Sequence, residues 1–386
     1  MEQPDIPPPD SPTPPAAAAP PPPQPPGRAR DVVPRALVVL VGLAAAFLVI
    51  SGMRSASGLI GSAFLALVLT IAVHPLRVRL ERWMPSWVSA TLCVLLVTGL
   101  VLGLAFALVV ATARFAGLLP RYRDEFHDLL RSGEAALHRL GVSGDQFDRL
   151  LDGLDLGKVA GLVTDALSGA LSGAYGVVTS VIFMLTLVLF MVLDGRSFPG
   201  HLAVVRRSRP DLADALTGFA SGTRQYLLVS TVFGFVVAAL DTVALELMGI
   251  PAPLVWGLLA FLTNYIPNIG FVIGLVPPAV LGLLEGGPWL MVAVVVVYSV
   301  LNFVIQSVIQ PKIVGDTVGL SATLTFLSVL FWSWVVGPLG AILAVPLSLL
   351  ARSVLVDADP ASRWLVPLIS GSPAPEPARP PDAEAT

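Results

Sequence analysis

What is scarce in this chain excludes most soluble functions. It has one cysteine, Cys93, set inside an apolar run, so no intrachain disulfide can form. Its four histidines, His74, His127, His138 and His201, are scattered, and no HExxH pair or Cys/His cluster offers a metal site. A Walker-type phosphate loop is absent, which argues against ATP hydrolysis. No metal, cofactor or catalytic constellation is expected, and the chain reads as a non-enzyme. Charged residues make up only 13% of it, without the basic and aromatic surface that nucleic-acid binding needs. An intramembrane aspartyl protease would need two facing aspartates. Asp241 lies in an apolar run, but Asp316 falls in a turn beyond a helix end.

Apolar residues are plentiful instead. A hydrophobic content of 55% and a mean hydropathy of +0.81 mark an integral membrane protein. The expected fold is all-α: a polytopic transmembrane bundle of about eight membrane segments, two of them Pro/Gly-broken helical hairpins, with a helical extramembrane insert. Residues 1–30 are proline-rich and are expected to be a disordered tail with polyproline character. Transmembrane helices one to three fall within 31–113, as apolar runs at 36–53, 58–73 and 87–112. The first run follows a long polar leader, unlike a secretory signal, and reads as a retained anchor. An extramembrane helical region follows at 114–173, where Leu119, Tyr122, Phe126, Leu129, Ala136 and Leu140 recur at helical spacing. Residues 174–356 carry helices four to eight, with broken hairpins at 252–286 and 318–356, and 357–386 is a tail.

Basic clusters orient the arrangement. Arg28, Arg30 and Arg35 precede the first span, Arg77, Arg79 and Arg82 follow the second, and Arg206, Arg207 and Arg209 follow the fourth. The positive-inside rule then places both termini in the cytoplasm and the insert outside. Trp83, Trp87 and Trp289 fit interface anchors. The stretch 211–224 mixes apolar and charged residues and suits a helix lying in the cytoplasmic interface.

The stretch 254–284 organises the rest. It is apolar almost throughout, yet is broken in the middle by Asn264, Tyr265, Pro267, Asn268 and Gly270. A straight helix of that length would run about 45 Å, well beyond a hydrocarbon core of about 30 Å. Pro267 removes a backbone donor and biases Ile266 away from helical angles, and Gly270 permits a close approach. Non-helical backbone at membrane depth survives only where protein buries it or water reaches it. The break is therefore a candidate lining for a polar path, with amides that both donate and accept; the same amides would also suit capping of the freed helix ends. Farther on, Asn302, Gln306 and Gln310 recur every four residues and should share one helix face. The run 320–355 is again too long for one crossing and is interrupted at Gly337, Pro338 and Gly340, a candidate hinge. Residues 270–277 align with 340–346 across a one-residue gap. If both are hairpins they enter from opposite sides, as in inverted-repeat transporters. Asp241, inside the fifth span, would cost about 3 kcal/mol if ionised at the bilayer centre, so it should be protonated, paired or wet. It is the candidate coupling residue; the bland reading is a carboxyl held by a polar neighbour.

Three segments carry a family resemblance: IPNIGFVIGLVPP at 266–278, QPKIVGDTVGL at 310–320 and GPLGAILAVPLSLL at 337–350. In that order they resemble the autoinducer-2 exporter (AI-2E) family of bacterial membrane proteins, over roughly residues 36 to 355. The resemblance implies an inner-membrane, multi-pass permease exporting a small polar solute such as autoinducer-2, a quorum-sensing signal; some members exchange sodium for protons. It also implies a homo-oligomer, with a pentamer as the suggested assembly. The chain departs from the pattern at Trp332-Ser333-Trp334, where glycines are usual, at Ser321, where proline is expected, and at Asp241.

The expected function is thus export of a small polar metabolite or signal along the break at 266–270, with only the lipid bilayer, the solute and sister subunits as partners. A sodium (or other cation)/proton antiporter coupled through Asp241 is the alternative, and a non-transporting membrane scaffold a second. Self-association through the insert predicts that cysteines substituted for Phe126 and Leu129 crosslink subunits under mild oxidation; monomers alone would count against it.

Overall fold

The computed structural model describes residues 35–118, 174–314 and 320–369. The expected proline-rich tail, most of the insert, Asp316 and the end of the C-terminal tail lie outside them. Among the described residues every regular element is a helix. In order these are α1 (Arg35–Ser55), α2 (Ser57–Leu80), α3 (Ser86–Leu118), α4 (Ala174–Asp194), α5 (Phe198–Ser208), α6 (Pro210–Leu247), α7 (Pro253–Thr263) and α8 (Ile269–Asn302). A π-helical turn, Phe303–Ile309, leads into α9 (Gln310–Val314), followed by α10 (Ala322–Val336), α11 (Pro338–Ile342), α12 (Ala344–Arg352), a second π-helical turn (Ser353–Asp357), a 3-10 turn (Pro360–Leu365) and the short α13 (Val366–Ile369). Four helices among the described residues are long and apolar enough to cross a membrane, or five if α4 and α5, bent by 70°, count as one span.

The described residues before Ile50 form one unit: an apolar helical run in which every described side chain from Ala36 to Val49 is exposed. In water such a surface would be untenable, whereas in lipid it is the ordinary state. From Ile50 on, the chain forms a second unit whose axis is α6. This helix has 38 residues, about 57 Å of continuous rise. Phe219 and Tyr226 on it pack with Phe64 and Val68 of α2, Val335 and Val336 of α10, and Leu347 and Leu349 of α12. Farther along, Val229, Phe233 and Val237 meet Ile305 of the π turn. Leu245 closes against Val255 and Trp256 of α7 and Val294 and Tyr298 of α8.

The segment 211–224, expected as a separate interfacial helix, is the first part of α6. Its charges suggested a surface, but Ala213, Ala215, Phe219 and Thr223 are buried by neighbouring helices, and packing rather than composition keeps the helix going. Hydroxyls along the apolar helices return to the preceding turn. Thr70 donates to the Ala66 carbonyl at 2.8 Å and Thr242 to that of Ala238 at 2.7 Å, which lets a hydroxyl sit in an apolar bundle without an orphaned proton.

Two interruptions divide the C-terminal half where proline and glycine predicted them. After α7 the chain turns through Asn264–Asn268 and re-enters helix at Ile269. A Cβ on Gly270 would collide with the Thr263 carbonyl, and one on Gly274 would lie 3.5 Å from the Ala260 Cα, so α7 and α8 lie against each other through glycine. α8 bends again at Gly286 and Gly287, the latter at φ 73°, and its limbs fold back so that a Cβ on Gly282 would stand 3.2 Å from Val294. After α10, Gly337 takes φ 82° and Pro338 opens α11. Ser321 caps the N-terminus of α10, its Oγ accepting from the Leu324 amide at 3.3 Å. Where proline was expected, this chain thus holds the helix start with a side-chain cap.

Gly257 sets the spacing of α6 and α7. A Cβ there would run into the Thr242 hydroxyl and stand 2.9 Å from the Ala238 carbonyl. Gly257→Ala should destabilise the protein by about 1–3 kcal/mol through overpacking, read as a lower melting temperature in detergent. Gly218→Ala, where nothing lies within 4 Å of the added methyl, should leave it unchanged or raised; equal losses in both would refute the steric account.

Candidate functional site

The interruption after α7 frees backbone groups that a continuous helix would satisfy. Part of the repair is local: the Ile266 amide donates to the Thr263 carbonyl at 2.8 Å and the Ile269 amide to that of Pro267 at 2.7 Å. The rest comes from α6. The buried Tyr226 hydroxyl donates to the Tyr265 carbonyl at 2.9 Å, and the Tyr265 hydroxyl pairs with that of Thr231 at 2.7 Å. Asn264 ends α7 as its C-cap, its amide donating to the Ala260 carbonyl at 3.0 Å, but its side chain does not turn back onto the helix. Its Nδ2 crosses to α6 and donates to the Ser230 carbonyl at 2.8 Å. Gly234 makes room for it, since a Cβ there would stand 2.7 Å from that nitrogen. Asn268, at φ 63°, is exposed and its side chain caps nothing.

From Asn264 the amides continue into a chain. Gln306 Nε2 donates to Asn264 Oδ1 at 3.1 Å and to Asn302 Oδ1 at 2.8 Å, and Asn302 Nδ2 donates to the Tyr298 carbonyl at 3.0 Å. Ser230, Asn264, Gln306, Asn302 and Tyr298 thus form one hydrogen-bonded series tying α6, the break and the end of α8 together. Beside it lies a cavity of about 20 Å³, room for roughly one water. Asp241, Asn264, Asn302 and Gln306 line it, along with Thr263 and Tyr298. The Asp241 side chain is 0% exposed and neither carboxyl oxygen has a hydrogen-bond partner among the described residues; the Tyr298 hydroxyl is in the same position. No Lys, Arg or His lines the cavity. Among the described residues no group of three or more His, Cys, Asp and Glu gathers to hold a metal.

Not every candidate residue meets there. Gln310 begins α9 and does not line the cavity. The π turn uses an extra residue per turn, which takes Gln310 off the face that Asn302 and Gln306 share. Tyr265, Pro267, Asn268 and Gly270 shape the turn without lining the cavity, and Gly337, Pro338 and Gly340 belong to the second interruption. Sequence reasoning missed Tyr226, Ser230, Thr231, Gly234 and Tyr298. Of these only Tyr298 carried a signal, four residues before Asn302 on the same face.

Comparison with known proteins gives a consistent picture. The family profile described as AI-2E family transporter matches residues 37–357. The AI-2 transport protein TqsA of Escherichia coli (strain K12) is 30% identical over 321 residues, covering 83% of this chain and 91% of that protein. The YhhT protein of the same organism is 29% identical over 336 residues, covering 87% of this chain and 95% of its own length. A Haemophilus influenzae relative is 28% identical over 328 residues, covering 83% of this chain.

Removing the Tyr226 hydroxyl tests the cross-brace between α6 and the break. Tyr226→Phe should cost about 1–3 kcal/mol by stranding the half-buried Tyr265 carbonyl, measured by thermal unfolding in detergent. Thr231→Val, at an exposed bond, should cost within about 1 kcal/mol. The reverse order would sink the account.

Proposed function

Because the chain belongs to the AI-2E family of membrane transporters, we propose that it is a permease exporting a small polar metabolite or signal of the autoinducer-2 kind along the interruption at 266–270. One observation carries this: the amides of Asn264, Asn302 and Gln306 converge from the break, the end of α8 and the π turn on a single cavity. An uncharged, hydroxylated solute matches such a lining, because each amide presents both a donor and an acceptor. The relative named for AI-2 transport supports the solute class.

On this reading the chain sits in a bacterial inner membrane with both termini cytoplasmic and about eight membrane segments. The hairpins at 252–286 and 318–356 are two of them and form the inverted pair that moves around the site, with Gly337, Pro338 and Gly340 as hinge. Tyr226 supports the pairing: it packs with Val335, Val336 and Leu343 beside the second interruption and bonds Tyr265 in the first. The working unit is a homo-oligomer, a pentamer on the family pattern.

Efflux of autoinducer-2 from proteoliposomes tests the reading. Asn264→Ala should slow it by about tenfold, the equivalent of one lost polar contact of about 1.4 kcal/mol, while Asn268→Ala, off the cavity, should leave it within about twofold. Efflux equal to that of empty liposomes, across autoinducer-2 and related polyols, would favour a membrane scaffold instead.

A further inference from the structure

The limbs of the second interruption leave a larger space than those of the first. Beyond the break, α10 and α12 part around a cavity of about 320 Å³. Leu324, Leu327 and Phe331 line it from one face of α10, Ala351 and Leu355 from α12 and the second π turn, and Ile369 from α13. Both ends are tied. Trp332 Nε1 donates to Ser348 Oγ at 2.9 Å beside the break, and the Ser321 amide donates to the Ile369 carbonyl at 3.0 Å at the start of α10. The wall from Leu324 to Trp332 spans about 12 Å of helix rise, so the space is a slot rather than a round chamber.

Its chemistry is the reverse of the first cavity's. The Ser328 hydroxyl turns back to the Leu324 carbonyl at 2.7 Å, and that of Ser348 is engaged by Trp332, so carbon dominates the wall. Among the described residues Arg352 is the one ionisable side chain on it. Its Nε stands 3.5 Å from Asp357 Oδ2, but Asp357 itself is not part of the wall. The slot thus offers a cation and no carboxylate. Leu327 and Leu355, 52% and 68% exposed, mark where it opens sideways.

A space of this kind calls for an apolar filling. Water gains little in an apolar cavity, and an empty one costs stability in proportion to its volume. In a bilayer the material at hand is an alkyl chain, which gains close packing against the wall. The cation then selects among chains by their headgroups. A guanidinium has five N–H donors, so Arg352 can keep Asp357 and still take a phosphate through charge-assisted hydrogen bonds. We propose that the slot binds one acyl chain of an anionic phospholipid, with the headgroup phosphate held at Arg352. The site rests on the second hairpin lying in the bilayer, as read above, and on no step of solute transport.

Tryptophan quenching by lipids brominated along one acyl chain, with the full-length protein in phosphatidylcholine bilayers, tests this. Trp332 lines the slot, so its emission, the difference between wild type and Trp332→Phe, reports a chain lying there. Brominated phosphatidylglycerol should quench this component at about tenfold lower mole fraction than brominated phosphatidylcholine, the scale of one charge-assisted hydrogen bond. Arg352→Gln should remove the preference. Ala351→Phe, which fills the slot, should leave the component unquenched by either lipid; if that variant does not fold, Ser328→Leu fills the slot from the facing wall. Unbrominated phosphatidylglycerol should relieve the quenching, whereas glycerol 3-phosphate, a phosphate without chains, should not. Trp334, 54% exposed, should be quenched by both lipids in every variant, which checks the hairpin's place in the bilayer separately. Equal quenching of Trp332 by the two lipids, quenching that persists in the filled slot, or relief by glycerol 3-phosphate would overturn the site. So would an unquenched Trp332: beside a quenched Trp334 it would mean that a sister copy or nothing fills the slot, and beside an unquenched one that the hairpin lies outside the bilayer.

Discussion

A backbone that leaves helix at Asn264 and resumes it at Ile269 can stand inside an apolar bundle only if another element supplies its hydrogen bonds. That element is α6. The Tyr226 hydroxyl takes up the Tyr265 carbonyl, and Asn264 is anchored on the Ser230 carbonyl in the space that Gly234 leaves open. Buried polar groups left unpaired cost far more than paired ones gain, so these contacts constrain α6 as much as they do the break. Its length follows: it must reach from the cluster around Phe219 to the one around Leu245 without losing register.

The second interruption is built with similar steric means and fewer polar ones. A Cβ on Gly340 would strike the Trp332 carbonyl, as one on Gly270 would strike that of Thr263. In both places glycine lets the outgoing helix touch the last turn of the incoming one. Beyond that the breaks diverge. The first gathers amides around a cavity; the second is closed by Val335, Val336 and Leu343, with Trp332 Nε1 donating to Ser348 Oγ at 2.9 Å. In polarity the two therefore differ, the first presenting hydrogen-bonding side chains to a cavity and the second packing apolar ones.

How much of this could be read from the sequence follows from how local each signal is. Pro267 and the Gly337-Pro338 pair act within one turn, and both interruptions fall where they do. The four-residue step from Asn302 to Gln306 is also local, and both side chains reach the same cavity. Gln310 was lost to a π turn that hydrophobic periodicity does not reveal. The continuity of α6 through 211–224 was hidden because Ala213, Ala215 and Thr223 look indifferent until neighbouring helices bury them. Capping by the Asn264 side chain was a sound local expectation overridden by a long-range partner. Ser230 contributes a backbone carbonyl, which has no signature in sequence at all.

The placement of charge against amide at the site has a physical logic. A fixed charge in the lining would have to be neutralised at every stage of a solute's passage, and each such step is costly in a low dielectric. Amides avoid this. In the series from Ser230 to Tyr298 each link is an N–H donating to a carbonyl oxygen, so a hydroxylated solute could replace any one link with a donor and an acceptor of its own. The exchange leaves few groups stranded, which is the condition for a path that opens and closes without a large barrier. Asp241 stands outside that exchange, with its carboxyl oxygens bonded to none of the amides. The two meet only at Tyr298, whose carbonyl ends the series and which lines the same cavity as Asp241.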